Sequence, residues 1–434
     1  MFRPASLIVT LFFSLLSALP LQASETIAVK IGYVQWAPDQ GPVLSNVLPE
    51  PEDAGLRGAE LAIRDNSTTG KFMGHTYTLT SRVAESEQTA VEAFEALQQQ
   101  GVDLFVINTP ASTLTAMLDK AGTDTLVFNS GSPDEALRAS ECNPNLLHTL
   151  PSYAMLTDAL GQWLKMRRWS RVFLITGPTA ADQAWASAFR RSAKRFGVKI
   201  MEDKPWTFDA DLRRTAAKEL PLFTQANDYD AVVVADVRGD FGEYVPFNTW
   251  LPRPVVGTQG MSPVAWHRVV ESWGAAQLQS RFYDLAGRDM TSEDYAAWAA
   301  VRSLGTAVTQ LGKADAKSLR SFIFSDRFQL AAFKGRQLTY RLWNGQLRQP
   351  IPLVHPRGLV ASAPIEGFIH PKTEMDTLGL DGPESLSYQR LTACAFAIQN
   401  NKEFSNDIAT QTNRFGYPGR AVHAGYGKSG LRIQ

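Results

Sequence analysis

Short apolar runs alternate with segments of helical periodicity along most of the chain. The runs Leu104–Ile107 and Ala231–Ala235 contain no polar residue, which is typical of strands buried on both faces of a parallel sheet. In Leu56–Asn66, apolar residues recur every three to four positions and predict an amphipathic helix. Two successive sets of such units, the second beginning near Tyr153, predict an α/β fold with two parallel sheets and helices on both faces.

Both ends of the chain depart from this alternation. Residues 1–23 contain a cation, an apolar stretch from Leu7 to Leu16 and a small residue at Ala23, which predicts a cleaved secretory signal peptide. The stretch is short for a membrane-spanning helix, and an uncleaved anchor is the alternative. In residues 385–434 the apolar periodicity fades, and we expect a poorly packed tail.

Composition and charge exclude several classes of protein. The 434 residues include 43 Lys and Arg against 43 Asp and Glu, so no net field attracts nucleic acid. No later stretch approaches the 18 apolar residues of a membrane span. The two cysteines, Cys142 and Cys394, are too few for a disulfide framework or a Cys-rich metal site. Export would make a disulfide between them chemically possible.

Motifs for catalysis, cofactors and metals are missing or incomplete. No G-x-S-x-G nucleophile turn follows a strand, and only the end of a phosphate-binding loop occurs, at 427–429. The histidines are far apart, and the densest group, His370 with Glu374 and Asp376, fits a solvated loop equally well. The sequence therefore predicts no catalytic residue, no cofactor and no metal.

Small and polar residues follow the predicted strands. They are Gln35-Trp36, Asn108-Thr109, residues 129–132, Thr176-Gly177, residues 236–238 and residues 258–260. Ligands of open parallel sheets bind beyond the carboxyl ends of the strands, where helix N-termini near Ser112 or Ser132 would favour a carboxylate. Each residue alone could be a cap or turn residue, but six clusters at one edge favour a cleft for a small polar ligand.

The order and spacing of several segments resemble the periplasmic substrate-binding proteins of ABC transporters, in the branched-chain amino acid (Leu/Ile/Val-binding) class. The similar segments, within residues 27–379, are IGYVQWAPDQG, GAELAIRDN, VINTPASTLTAMLDKAG, LVFNSGSPD, ECNPNLLHTLPS, RVFLITG, FDADLRR, DAVVVAD and VVGTQG. The ending PIEGFIHPKTEMDTLG is similar to a subgroup associated with PQQ-dependent alcohol dehydrogenase systems.

This resemblance implies a periplasmic binding protein type I fold, with two Rossmann-like lobes joined by three crossings. Lobe 1 would comprise residues 25–148 plus 284–344, and lobe 2 residues 149–283 plus 345–380. The implied function is that of a periplasmic, non-enzymatic component that captures a small ligand and delivers it to an ABC permease in the inner membrane. The alternative is a ligand sensor, or an accessory factor of periplasmic quinoprotein alcohol oxidation, without transport.

The resemblance also implies a set of ligand-binding positions in the interlobe cleft. They are Trp36, Ser112, Asn129, Ser130, Gly131 and Ser132 in lobe 1, and Asp182, Asp236, Arg238 and Gln259 in lobe 2. The chain departs from the family at Pro110, which has no N–H group, and at Gln259, where an acidic residue would pair with a ligand ammonium. Unless Asp182 or Asp236 replaces that acid, the ligand should lack an α-amino group, as a carboxylate, alcohol-derived acid or amide does.

Overall fold

The computed structural model describes residues 26–39, 41, 51–207 and 212–382, without the side chains of residues 212–214. The first lobe is built on a parallel sheet of five strands in the order β2-β1-β3-β4-β5. The strands are β1 (Ile27–Gln35), β2 (His75–Val83), β3 (Leu104–Asn108), β4 (Leu126–Asn129) and β5 (Leu146–His148). The central strands are almost entirely buried, as their uninterrupted apolar sequence predicts.

Six helices cover the two faces of this sheet. They are α1 (Leu56–Met73), α2 (Glu87–Gln99), α3 (Ala111–Lys120), α7 (Ala275–Ala286), α8 (Ser292–Leu311) and α9 (Ala316–Ile323). Helices α1, α7, α8 and α9 share one apolar core with the sheet, and α2 and α3 share the other. The closest approach, between α1 and the start of α8, depends on Gly58, because a Cβ there would overlap the backbone oxygen of Asp294.

The second lobe repeats this plan with a parallel sheet in the order β7-β6-β8-β9. Its elements are α4 (Tyr153–Met166), β6 (Arg171–Thr176), α5 (Ala180–Phe196), β7 (Lys199–Pro205), α6 (Leu212–Phe223), β8 (Ala231–Ala235) and β9 (Val255–Gly257). Local sequence fixes the helix starts: the Ser152 hydroxyl caps α4, and Thr179 and Asp182 form a capping box at α5.

Two small antiparallel sheets complete the lobes. One contains β11 (Leu330–Ala331), β12 (Gln337–Tyr340) and β13 (Leu347–Arg348), and the other contains β10 (Ser262–Pro263), β14 (Ile351–His355) and β15 (Gly358–Ala363). The chain passes between the lobes three times: between β5 and α4, between β10 and α7, and between β13 and β14. The predicted type I fold, with two lobes and three crossings, is confirmed.

The lobe boundaries differ from those predicted at two crossings. The prediction assigned residues 275–283 to lobe 2, but Ala275, Leu278 and Phe282 lie in the core of lobe 1 against α1 and α8. Leu347, predicted in lobe 2, also lies in the lobe 1 core. The apolar face of α7 is complementary to α1, and this long-range contact leaves no mark in the local sequence.

The predicted signal peptide (1–23) and the predicted tail (385–434) lie outside the described residues, so both stay predictions. Cys142 is disulfide-bonded, and Cys394 lies outside the described residues.

Candidate ligand-binding cleft

Residues after the strands of the two lobes come into contact with one another, at the place where the sequence predicts the interlobe cleft. Arg238, after β8 of lobe 2, donates from Nη2 to the carbonyl oxygen of Gly41, which follows β1 of lobe 1, over 3.1 Å. Tyr153, in the first turn of α4, is affected by carboxylates of both lobes. Burial raises the pKa of its phenol, and the negative charges of Asp182 from lobe 2 and Asp134 from lobe 1 raise it further.

The loop after β4 closes on itself. The Asn129 side-chain oxygen accepts hydrogen bonds from the N–H groups of Gly131 (3.2 Å) and Ser132 (2.8 Å), as in an Asx turn. The N–H and the hydroxyl of Ser130 both donate to the carbonyl oxygen of Ile107. These four predicted site residues therefore lie together, but their N–H groups are bonded within lobe 1. The predicted carboxylate binding through residues 130–132 is not available in this arrangement.

The N-terminus of α3 offers the alternative anion site in lobe 1. Pro110 precedes the helix and provides no side-chain cap. Within the described part of the chain, the N–H groups of Ala111, Ser112 and Thr113 have no hydrogen-bond acceptor, and Ser112 is exposed. The Thr113 hydroxyl is buried and also has no partner there. Unpaired N–H groups and the helix dipole favour a carboxylate at this end.

The two aspartates predicted to line the lobe 2 side of the cleft accept hydrogen bonds from the backbone of lobe 2. Asp182 accepts hydrogen bonds from the N–H groups of Val237 (2.7 Å) and Thr179 (3.0 Å), one on each carboxylate oxygen. Asp236 is almost fully buried, and its carboxylate holds the loop that follows β8. It accepts from the N–H groups of Gly239 and Asp240 on Oδ1, both at 3.0 Å, and of Phe241 (2.8 Å) and Gly242 (2.6 Å) on Oδ2.

The three remaining predicted site residues, Arg238, Gln259 and Trp36, have different surroundings. Besides its bond to Gly41, Arg238 pairs with Asp240, with 3.4 Å between Nε and Oδ1. Gln259 is half-buried. Trp36 is half-buried and packs against the core shared by α2 and α3. The lobe 2 side therefore combines one cation with one neutral amide.

The strand-end pattern indicated Asn108 and Gln35, although neither was among the expected ligand-binding positions, and it did not indicate Tyr153. Asn108 donates to the carbonyl oxygen of Ala54 (3.0 Å) and Gln35 to that of Glu52 (3.0 Å), which holds the segment before α1 against the strand ends. Tyr153 follows a crossing rather than a strand, and only the Ser-Tyr cap sequence marked it as the start of a helix.

The described residues contain no group of three or more His, Cys, Asp or Glu side chains arranged to hold a metal. In the cluster considered from the sequence, Asp376 is paired with Arg341 (3.0 Å) and Arg348 (2.8 Å), and Glu374 is paired with Arg336. No helix of the described chain is both long and apolar enough to cross a membrane.

Comparisons with known proteins agree with this architecture. The family model described as periplasmic binding protein matches residues 29–244. No curated protein sequence matches the chain.

Solved structures of binding proteins superimpose on both lobes. A Leu-, Ile-, Val-, Thr- and Ala-binding protein from Brucella ovis, in the closed conformation, is 15% identical, with a TM-score of 0.61 over 83% of this chain and 97% of its own. An ABC transporter solute-binding protein from R. palustris in complex with benzoate is 15% identical, with a TM-score of 0.60 over 83% and 99%. One from Rhodopseudomonas palustris BisB5 in complex with 3,4-dihydroxy benzoic acid is 13% identical, with a TM-score of 0.56 over 76% and 93%.

These similarities agree with the prediction of a periplasmic binding protein rather than an enzyme, because the matched family consists of binding proteins. At such low sequence identity, the solved structures establish the fold and leave the ligand open. Residues 29–244 match the periplasmic binding protein family model, and the described chain as a whole has the periplasmic binding protein type I fold.

Proposed function

We propose that this chain is the solute-binding component of an ABC transporter and captures a small organic carboxylate that has no α-ammonium group. The two lobes and the three crossings between them support binding between the lobes followed by hinge closure. A permease of the inner membrane would receive the ligand.

The N-terminus of α3 and Arg238 support a carboxylate as the ligand's charged group. The N–H groups of residues 111–113 have no acceptor among the described residues, and the positive end of the helix dipole there would stabilise a bound anion by about 0.3–2 kcal/mol. Arg238 is the cation among the predicted site residues of lobe 2, and it donates a hydrogen bond to Gly41 of lobe 1. A carboxylate between them would connect the two lobes.

The observation that carries the proposal is the use of all four oxygens of Asp182 and Asp236 by backbone N–H groups. An ammonium placed beside Asp236 would compete with four backbone donors that fill its acceptor positions, and one beside Asp182 would share each oxygen with a backbone N–H group. Gln259 offers an ammonium no negative charge. A buried ammonium without an anion costs several kcal/mol. Two of the similar solved structures hold benzoate and a dihydroxybenzoic acid, which are carboxylates without an amino group.

One feature favours a competing ligand class. Asp134, from lobe 1, faces the phenol of Tyr153 and would attract a cationic group. A ligand with an amine would use this acid instead of the two lobe 2 aspartates, and the experiment must separate the two cases.

The test is a calorimetric titration of ligand-stripped protein with four compounds. Leucine carries both charges, isocaproate has the carboxylate alone, isoamylamine has the amine alone, and benzoate is an aromatic carboxylate. We expect isocaproate or benzoate to bind and leucine and isoamylamine not to bind. Binding of leucine without isocaproate would contradict the proposal in favour of amino acid uptake, and binding of isoamylamine alone would favour a cation. Failure of all four would contradict the ligand class.

A matched pair of variants tests the position of the carboxylate. Ser112→Asp adds a negative charge at the open N-terminus of α3 and should weaken carboxylate binding at least about tenfold, which corresponds to about 1.4 kcal/mol. Ser112→Ala keeps the backbone N–H groups and should change affinity less than about threefold. Equal affinities of the two variants would show that the carboxylate binds elsewhere.

A further inference from the structure

A buried lysine lies where two crossings meet. The Lys334 amine, between β11 and β12, donates to the carbonyl oxygen of Ala265 in the second crossing at 2.5 Å. It also donates to the side-chain oxygen of Gln349 (2.9 Å) and to the carbonyl oxygen of Pro350 (3.1 Å), both in the third crossing. Three N–H hydrogens therefore meet three oxygen acceptors from two different connections between the lobes.

Gln349 extends this network to the remaining crossing. Its side-chain nitrogen donates to the carbonyl oxygen of Thr149, between β5 and α4, over 2.7 Å. Gln349 and Thr149 are fully buried and Lys334 is 6% exposed. One continuous path of hydrogen bonds, through two side chains, thus joins all three crossings. We call Lys334 and Gln349 the hinge clamp.

The surroundings of the Lys334 amine are uncharged. Its three acceptors are neutral, and no carboxylate of the described residues pairs with it. The titratable group packed against it is Tyr295 of α8, whose ring centre lies 4.6 Å from Nζ. The Tyr295 hydroxyl donates to the carbonyl oxygen of Ala332, and burial raises its pKa well above the ordinary value. Burial lowers the pKa of Lys334 to about 7.

We propose that the charge of the Lys334 amine controls the stiffness of the interlobe hinge. The protonated amine has three hydrogens for its three acceptors and holds the second and third crossings firmly together. The neutral amine has two hydrogens, so one acceptor loses its donor and the clamp loosens. The lobes should therefore move over a narrower range in mildly acidic solution than in mildly alkaline solution, whatever the ligand is.

The first test measures the distance between the lobes in the ligand-free, otherwise unaltered chain. Spin labels on Ala96→Cys in α2 and Lys194→Cys in α5, both at exposed positions, report that distance by pulsed electron resonance. The native Cys142 is disulfide-bonded and does not compete for the label. We expect a narrow distance distribution at about pH 6 and a wider one at about pH 8.5. Identical distributions would overturn the proposal, and this comparison needs no variant of Lys334.

Variants then assign the effect to the clamp. Lys334→Met keeps most of the apolar side chain and removes the donors, so its distribution should be wide at both pH values. Lys313→Met, at an exposed lysine before α9, is the control and should behave as the parent does. Persistence of the pH effect in Lys334→Met would overturn the proposal. Gln349→Leu, which cuts the link to Thr149, should also widen the distribution at pH 6, and a width unchanged from the parent would contradict the clamp.

The effect of Lys334 on global stability should have the opposite pH dependence to its effect on the hinge, so the two effects can be separated. Lys334 has a pKa of about 7 when folded and an ordinary value of 10.5 in water, so the unfolded chain binds more protons between these values. The contribution of Lys334 to the free energy of unfolding therefore rises with pH across this window while the hinge loosens. A wider distribution accompanied by a loss of Lys334-dependent stability would point to partial unfolding and refute a clamp.

Discussion

Asp236→Asn tests the reasoning on which the proposed ligand class depends. The almost fully buried carboxylate of Asp236 accepts four backbone N–H bonds of 2.6–3.0 Å, two on each oxygen, from the loop that follows β8. Asparagine has the same shape but only one acceptor oxygen. Its NH₂ group would face two N–H donors that have no other acceptor, and the negative charge would be lost.

The expected cost follows from the number of bonds lost. A hydrogen bond to a charged group contributes about 1.5–3 kcal/mol. Two such bonds are lost, so Asp236→Asn should lower the free energy of unfolding by about 3–6 kcal/mol. The change is large relative to the total stability of about 5–15 kcal/mol that is usual for folded proteins.

Urea unfolding at pH 7, followed by circular dichroism and tryptophan fluorescence, measures this cost. Trp206 is stacked on Phe241 with ring centres 4.0 Å apart, beside the loop that Asp236 holds, and reports on that part of lobe 2. Asp124→Asn makes the same chemical change at an exposed position and should alter stability by less than about 0.5 kcal/mol. If Asp236→Asn were as stable as the parent but failed to bind ligand, Asp236 would be a ligand residue and our charge argument would be refuted.

Two further predictions concern stability. Burial, together with the charge of Arg138, lowers the pKa of His148 well below 6.5. The contribution of His148 to the free energy of unfolding is therefore complete above pH 6.5 and is lost as the pH falls, by at most about 1.4 kcal/mol per pH unit. Urea unfolding between pH 7 and 5 should show this slope, and His148→Gln should reduce it. Gly58→Ala should destabilise the folded protein by about 1–3 kcal/mol in thermal unfolding, because the added Cβ overlaps α8. The control Gly358→Ala should have little effect, because no atom lies within 4 Å of the added Cβ. Equal melting temperatures of the two variants would contradict the close packing of α1 and α8.

Much of the secondary structure could be predicted because its signals are local. The strand Ala231–Ala235 has the predicted bounds, and the helix predicted from Tyr153 begins there because Ser152 caps it. Elements without such signals were missed. The three residues of β5 are too few for a periodic pattern, and β14 and β15 follow a crossing where nothing alternates with a helix. Contacts with the lobe 1 core stabilise β5, and contacts with the lobe 2 core stabilise β14 and β15.

The sequence indicated where the candidate residues lie along the strands but not which bonds they make. Parallel strands share one direction, and residues 129–132 and 236–238 lie at the carboxyl ends of β4 and β8. The hydrogen bonds from the N–H groups of Gly131 and Ser132 to the Asn129 side chain have a local sequence signal, because Asn commonly accepts from N–H groups two and three residues ahead. The hydrogen bond from the Val237 N–H group to Asp182 has no such signal, because 55 residues separate the two.

The sequence by itself determined the alternation of buried strands and amphipathic helices, and with it the two-lobed α/β fold, because burial and periodicity are properties of neighbouring residues. Only the tertiary structure decided which polar groups remain for a ligand. A hydrogen-bond donor or acceptor is available only if no other part of the fold has used it, and that depends on residues distant in sequence. The tertiary structure decided in this way the bonds of the lobe 2 aspartates, the open N-terminus of α3 and the link between all three crossings through Lys334 and Gln349.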